Sequence, residues 1–371
     1  MSALFSPIQL GGLTLPNRIV VSPMCQYSAV EGCATDWHMI HLGTLALSGA
    51  SLLCLEATAV EPIGRITPGD LGLYDDATEA ALKPVLAAIR KHSKIAVAMQ
   101  IGHAGRKASS HAPWDGGQQV PLGEGGWVAQ APSPLPQKPG ELAPQEIDAA
   151  GLARIRNAFV ATARRAERLG IDAIEIHGAH GYLLHQFLSP IANHRTDEYG
   201  GTLQNRMRFP LEVFDAVRAA FPADKPVGFR VSASDWVDGG WDLDQTLVLA
   251  GELKKRGVAW IDVSSGGVSP LQKITIGPGY QVPFAEAVKQ ATADVPVWAV
   301  GLITEPQQAE DIVASGKADI VALARGLLYD PRWGWHAAAA LGGTVDAPPQ
   351  YWRSQPSTQK ALFGDTKFGG R

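Results

Sequence analysis

Short apolar runs, each followed by a longer segment with helical spacing of its apolar positions, recur along the chain. The runs at 18–22, 52–55, 95–99, 173–176, 227–231, 260–263, 297–300 and 320–323 are rich in Val and Ile and lack polar alternation. That is the pattern of strands buried on both faces. Helical patterns lie between them at 38–48, 78–91, 148–169, 205–220, 244–255, 281–291, 305–314 and 332–341. Gly170, Gly257 and Gly316 follow the ends of three of these and read as helix stops. Eight strand–helix units predict an α/β fold, a single closed (β/α)8 TIM barrel. A doubly wound open sheet is the alternative. It usually has about five or six parallel strands, and no Gly-x-Gly-x-x-Gly follows any strand here.

One uncharged stretch, Trp37 to Leu55, has the length of a membrane span. His38, His41, Ser48 and Gly49 interrupt it, and it divides into a helix, a turn and a strand. The first residues, MSALFSPIQL, lack the basic start and apolar centre of a secretory signal, so a soluble, cytoplasmic protein is expected.

Barrels of this kind need roughly 250 residues, so much of the 371-residue chain is surplus. The surplus gathers in two excursions, 103–147 after the third strand and 177–204 after the fourth. Ordered loops of that length are usually functional, and both leave the C-terminal face of the strands, where barrel active sites are built. Residues 1–355 read as one barrel and 356–371 as a loosely anchored tail. A hydrophobic share of 46% excludes a disordered chain, and a net charge of −4 offers no basic field for nucleic acid or an anionic membrane. Three cysteines, Cys25, Cys33 and Cys54, without CxxC spacing support neither a disulfide framework nor a zinc or iron–sulfur site.

The chemistry lies at the strand ends. Strand one exits into Pro23-Met24-Cys25-Gln26-Tyr27, strand two into Glu56-Ala57-Thr58, and strand three ends at Gln100 ahead of His103 and Arg106. Strand four leads into His177-Gly178-Ala179-His180-Gly181-Tyr182, strand five ends in Arg230, and strand six in Ser264-Ser265-Gly266-Gly267. Gly301 follows strand seven, and Ala324-Arg325-Gly326 follows strand eight. Glycines and an arginine after the last two strands suit a phosphate dianion, although a plain turn explains the glycines alone. His177 and His180, with Tyr182 two residues on, read as neutral hydrogen-bond donors beside a phenolic proton donor. Histidines satisfied inside a folded loop are the plainer reading. A zinc pair is a third, but strand one has no His-x-His and no clear carboxylate ligand stands at another strand end. Arg230, buried at a strand end, argues for an anionic ligand. Cys25 has no base to activate it and is more often a small core residue than a nucleophile.

Taken together, Pro-Met-Cys-Gln-Tyr at 23–27, Gln-Ile-Gly-His-Ala-Gly-Arg-Lys at 100–107, His-Gly-Ala-His-Gly-Tyr-Leu at 177–183 and Ser-Pro-Ile-Ala-Asn-His-Arg-Thr-Asp-Glu-Tyr-Gly-Gly at 189–201 are highly specific. The chain resembles the old yellow enzyme family of FMN-dependent ene-reductases over residues 4 to 355. Cys25 and Tyr351-Trp352-Arg353 look like the thermophilic-like bacterial subclass. The resemblance implies non-covalent FMN, reduced by NADPH or NADH, and reduction of activated C=C bonds in an enone, maleimide or nitro compound. It implies that Pro23, Met24, Cys25 and Ala57 border the flavin ring, that Gln100 and Arg230 meet its pyrimidine edge, and that Gly301, Ala324 and Arg325 hold the phosphate. His177 and His180 would bind the substrate oxygen, Tyr182 would protonate the α-carbon, and Tyr27 would line the pocket. Arg353 would reach a neighbouring subunit's site, implying a dimer or a tetramer of such dimers. Ala324 departs from the glycine common at that position. A methyl group is tolerable there if φ stays negative.

Two other functions compete at this stage. A phosphate-substrate lyase or isomerase shares the barrel and phosphate loops but needs a Schiff-base lysine or metal ligands at a strand end, and neither is evident. A flavin-binding protein without turnover is the other.

Overall fold

A computed structural model describes residues 2–364 and 366. Eight parallel strands close into a barrel in sequence order: β1 (Ile19–Val21), β2 (Leu52–Ala59), β3 (Ala96–Gly102), β4 (Ala173–Gly178), β5 (Val227–Ser232), β6 (Ile261–Ser264), β7 (Val297–Ala299) and β8 (Ile320–Leu323). Pairing of Val321 with Ile19 closes the ring. The outer helices are α1 (Asp36–Leu45), α2 (Asp76–His92), α3 (Ala149–Arg168), α4 (Leu203–Ala220), α5 (Leu243–Lys255), α6 (Val282–Thr292), α7 (Pro306–Ala314) and α8 (Trp333–Leu341). The uncharged stretch from Trp37 divides into α1, a turn and the start of β2. No helix among the described residues is long and apolar enough to cross a membrane.

Local chemistry sets the helix limits. Asp75, Asp148, Thr202 and Asp242 cap the starts of α2, α3, α4 and α5 by accepting from the backbone N–H three residues on. Gly170, Gly257 and Gly316 have φ near +75° (75°, 76° and 76°), the left-handed turn that ends a helix. One apolar cluster fills the space between strands and helices. A second fills the barrel's lower interior, where Leu10 and Leu15 join Val20, Trp260, Trp298 and Ile320. Those two leucines come from an antiparallel hairpin, Ile8–Leu10 with Leu13–Leu15, that the apolar-run pattern does not predict.

Five strands, β2 to β6, run further toward the mouth than their apolar runs. Gln100, His177 and Arg230 lie inside β3, β4 and β5, and Glu56 and Ala57 lie inside β2, at a register shift between Leu55 and Thr58. The backbone ladder continues after the side chains change from core to site, so hydrophobicity marks the strand's core portion and not its end. Within the tail expected to be loosely anchored, Leu362 and Phe363 are buried. The Phe363 ring meets Trp335 of α8 edge-on at 4.7 Å. Two apolar side chains find apolar cover there, which the Pro, Ser, Gly and Lys around them conceal. Residues 365 and 367–371 of that tail lie outside the described residues.

Candidate active site

The mouth is built from the strand-exit loops, held to one another through backbone groups. After β1, the Glu56 carboxylate accepts from the Gln26 N–H at 2.9 Å and the Gln26 amide donates to Met24 O at 2.9 Å. Tyr27 follows with φ 51°, and its ring meets Trp114 of the long excursion edge-on at 5.5 Å. His103 accepts from the Gly105 N–H at 3.0 Å and faces Glu61 at 3.0 Å. Arg106 donates to Val268 O at 2.7 Å. The two residues seen after strand three thus tie loops together.

His177, His180 and Tyr182 come together. The His177 ring lies 5.2 Å from that of His180 and 5.0 Å from that of Tyr182. Burial and the nearby Arg230 hold both imidazoles well below their ordinary pKa, so they are neutral at pH 7. Burial also raises the Tyr182 phenol well above its usual value, so it keeps its proton. Cys25 remains a thiol for the same reason, with Asp70 and Glu56 adding to the effect. His180 is left-handed (φ 57°) and its Nε2 lies 2.7 Å from Ser264 Oγ.

The loops after β4 and β6 touch backbone to backbone. A Cβ at Gly181 (φ 73°) would lie 2.2 Å from Gly267 O. Lys107, the last residue of the 100–107 motif and given no role from sequence, donates to His180 O at 2.8 Å and Gly267 O at 3.1 Å, and its ammonium sits 4.8 Å from the Tyr182 ring centre. Gly181→Ala is expected to cost about 1–3 kcal/mol from the left-handed backbone alone and to displace Tyr182. Urea unfolding and flavin affinity measure this, and unchanged values for both would contradict the close approach.

Gln100 on β3 and Arg230 on β5 are both buried in the barrel mouth's floor, with Arg230 Nε 2.9 Å from Asp262 Oδ2. At the other edge, a cleft is lined by Gly301, Ala324, Arg325, Gly326, Ser264 and Tyr280, among others. Ala324 has φ −111°, outside the left-handed region that favours glycine, so its methyl group is tolerated on that count. Arg353 is not brought to this group within one chain. It lies exposed on the turn Pro349–Ser354, whose Tyr351 packs on Trp335 of α8.

The model of the NADH:flavin oxidoreductase / NADH oxidase family matches residues 3–341. The chain belongs to that family. Relatives include an NADPH dehydrogenase of Geobacillus thermodenitrificans, 43% identical over 95% of this chain and 98% of its own. Another, from Listeria innocua, is 42% identical over 95% and 99%. The solved structure of morphinone reductase superposes with TM-score 0.76 at 29% identity, over 93% of this chain and 91% of its own. As a member of the NADH:flavin oxidoreductase family, the protein is an NAD(P)H-dependent flavin oxidoreductase of the old yellow enzyme type.

The residues at the mouth fit a flavin mononucleotide. His177 Nδ1 is buried without a partner. Gly301 has φ 120°, and a Cβ there would come within 2.8 Å of Gln281 Nε2 and 3.1 Å of Tyr280, so the cleft keeps a bare backbone edge. Arg325 is exposed and carries no ion pair among the described residues, leaving its guanidinium for a phosphate. Sequence reasoning missed Lys107, whose acceptors are carbonyls in distant loops. It also missed Glu175 and Asp262, two carboxylates buried within apolar strands.

Proposed function

We propose that the protein holds FMN non-covalently at this mouth and reduces the C=C bond of α,β-unsaturated carbonyl or nitro compounds. NADPH or NADH would serve as reductant, in two half-reactions sharing one site. The convergence of two neutral imidazoles and a protonated phenol beside a buried guanidinium carries this reading. When bound, FMN supplies a two-electron centre that accepts hydride from the nicotinamide and passes it to the substrate's β-carbon.

The chain's residues do the rest. The Gln100 amide and Arg230 guanidinium would bind the pyrimidine edge, where a fixed cation stabilises the negative charge that reduction brings. Pro23, Met24, Cys25 and Ala57 would border the ring, and Gly301, Ala324 and Arg325 would hold the phosphate. His177 and His180 would donate to the carbonyl or nitro oxygen, drawing electrons from the β-carbon. Tyr182 would give its proton to the α-carbon, and Tyr27 would line the pocket. The Cys25 thiol would adjust the flavin's potential without forming a bond. Arg353 on its exposed turn would complete the site of a neighbouring subunit, in a dimer or a tetramer of such dimers.

The purified protein should be yellow, bleach with NADPH without oxygen, and recolour when an enone is added. A colourless protein that FMN does not reconstitute would sink the reading. Bleaching without recolouring by any enone, maleimide or nitroalkene would leave a flavin reductase without the alkene step.

A further inference from the structure

Beneath the mouth lie two carboxylates that the proposed chemistry does not use. Glu175 on β4 and Asp262 on β6 are fully buried. Strand register sets their partners: Gln100 pairs with Glu175 across β3 and β4, and Arg230 with Asp262 across β5 and β6. Gln100 Nε2 donates to Glu175 Oε1 at 2.8 Å, and Trp260 Nε1 donates to Oε2 at 3.0 Å. The Trp260 indole covers Gly228, where a Cβ would come within 2.0 Å of the ring, and stacks on Trp298 at 4.7 Å. The floor beneath Glu175 is therefore closed by indole and apolar side chains.

Neither Asp262 oxygen accepts an aligned hydrogen bond, although Arg230 Nε lies 2.9 Å from Oδ2. The charged or titratable groups that face Glu175 are Asp262, Arg230 and the Cys54 thiol of β2. One guanidinium thus faces two carboxylates in an interior that holds net negative charge only at high cost. Burial raises both carboxyl groups; the Asp262 charge raises Glu175 further, and Arg230 opposes the rise in each. Two groups so coupled titrate as a pair.

Resting on the FMN reading above, we propose that the Glu175–Asp262 pair takes up one solvent proton when negative charge arrives beside Arg230, and releases it when that charge leaves. In the reductive half-reaction NAD(P)H gives up a hydride and departs as NAD(P)+. The site gains one negative charge, and one carboxylate with one solvent proton becomes a carboxylic acid. In the oxidative half-reaction the hydride leaves to the alkene and the pair returns its proton to solvent. The pair forms no bond to substrate. Glu175 is a positioning residue that acts through Gln100 and Arg230.

The midpoint potential of the holoenzyme measured against pH tests this. Uptake of one proton per two electrons lowers the potential by about 30 mV per pH unit, and a second proton doubles that slope. The wild type should show the steeper slope between the pair's pKa before reduction and its higher pKa after, and about 30 mV per unit outside that window. Glu175→Gln should hold about 30 mV per unit throughout. A shallow wild-type slope across the whole range, or a steep segment retained in Glu175→Gln, overturns the proposal. Should Glu175→Gln fail to fold, the reduced-minus-oxidised infrared spectrum of the wild type decides. A protonated-carboxyl C=O band that appears on reduction and shifts in D2O supports the proposal, and its absence overturns it. A protein that binds no FMN has no such potential and sinks the functional reading itself, whereas a shallow slope in a working holoenzyme sinks only the proton.

Discussion

Tyr182→Phe is expected to slow alkene reduction by roughly 10²–10⁴-fold, the usual worth of a positioned proton donor. Flavin reduction by NADPH needs no proton from this residue and should be unchanged. The substitution removes only the hydroxyl, and the ring keeps its place 5.0 Å from His177 and beneath the Lys107 ammonium. Lys107 is itself lowered to about 8, by burial and by the neighbouring Arg106 and Lys138. It is nonetheless tied to His180 O and Gly267 O, so the loop that carries the phenol is held from two sides. Stopped-flow measurement of the two half-reactions under anaerobic conditions separates them. Equal loss in both would show that Tyr182 shapes the site and does not deliver the proton.

The barrel was legible because apolar content follows burial. A strand enclosed on both faces has no room for polar alternation, and β1 through β8 carry that mark. The mark fails where burial and chemistry coincide. Glu175 and Asp262 are charged residues inside apolar runs, a visible signal, but their partners arise from strand register, which one strand's sequence does not encode. The hairpin at the barrel's base was also visible in principle: Gly11-Gly12 separates Ile8-Gln9-Leu10 from Leu13-Thr14-Leu15, two alternating triplets around a two-residue turn. Lys107 stands in the 100–107 motif and Ser264 at a strand end, but the group that each meets is brought near only by folding, so their roles left no signal.

The motif spacing at 177–182 brought three rings to one place because the loop's path is fixed from outside it. His185 accepts from the Gly181 N–H at 2.8 Å and its other nitrogen lies 2.8 Å from the buried Asp235 carboxylate. Asp235 in turn accepts from Ser189 at 2.6 Å. His185 and Ser189 lie within the matched motifs at 177–183 and 189–201 or just between them, and serve to hold the backbone that carries His180 and Tyr182. A motif this long therefore mixes residues that face the mouth with residues that support them, and only the structure separates the two.

Arg230→Met is expected to have the largest effect, because it does two things at once. It strands the Asp262 carboxylate in the interior, which destabilises the fold by about 3–5 kcal/mol, and it removes the cation from the floor of the mouth. The double variant Arg230→Met/Asp262→Leu separates the two. Replacing a buried ion pair by apolar side chains is often close to neutral, and Glu175 keeps its donors Gln100 and Trp260 and loses the Asp262 charge, so urea unfolding of the double variant should return part of the way toward the wild type. Flavin reduction by NADPH should stay slow, by roughly 10²–10³-fold, the loss expected when a fixed donor to developing charge is removed. Recovery of both stability and rate in the double variant would mean that Arg230 serves only to neutralise Asp262. Recovery of stability without recovery of rate assigns the guanidinium to the charge that reduction places at the mouth, because the stranded Asp262 carboxylate is then gone and the cation is still missing.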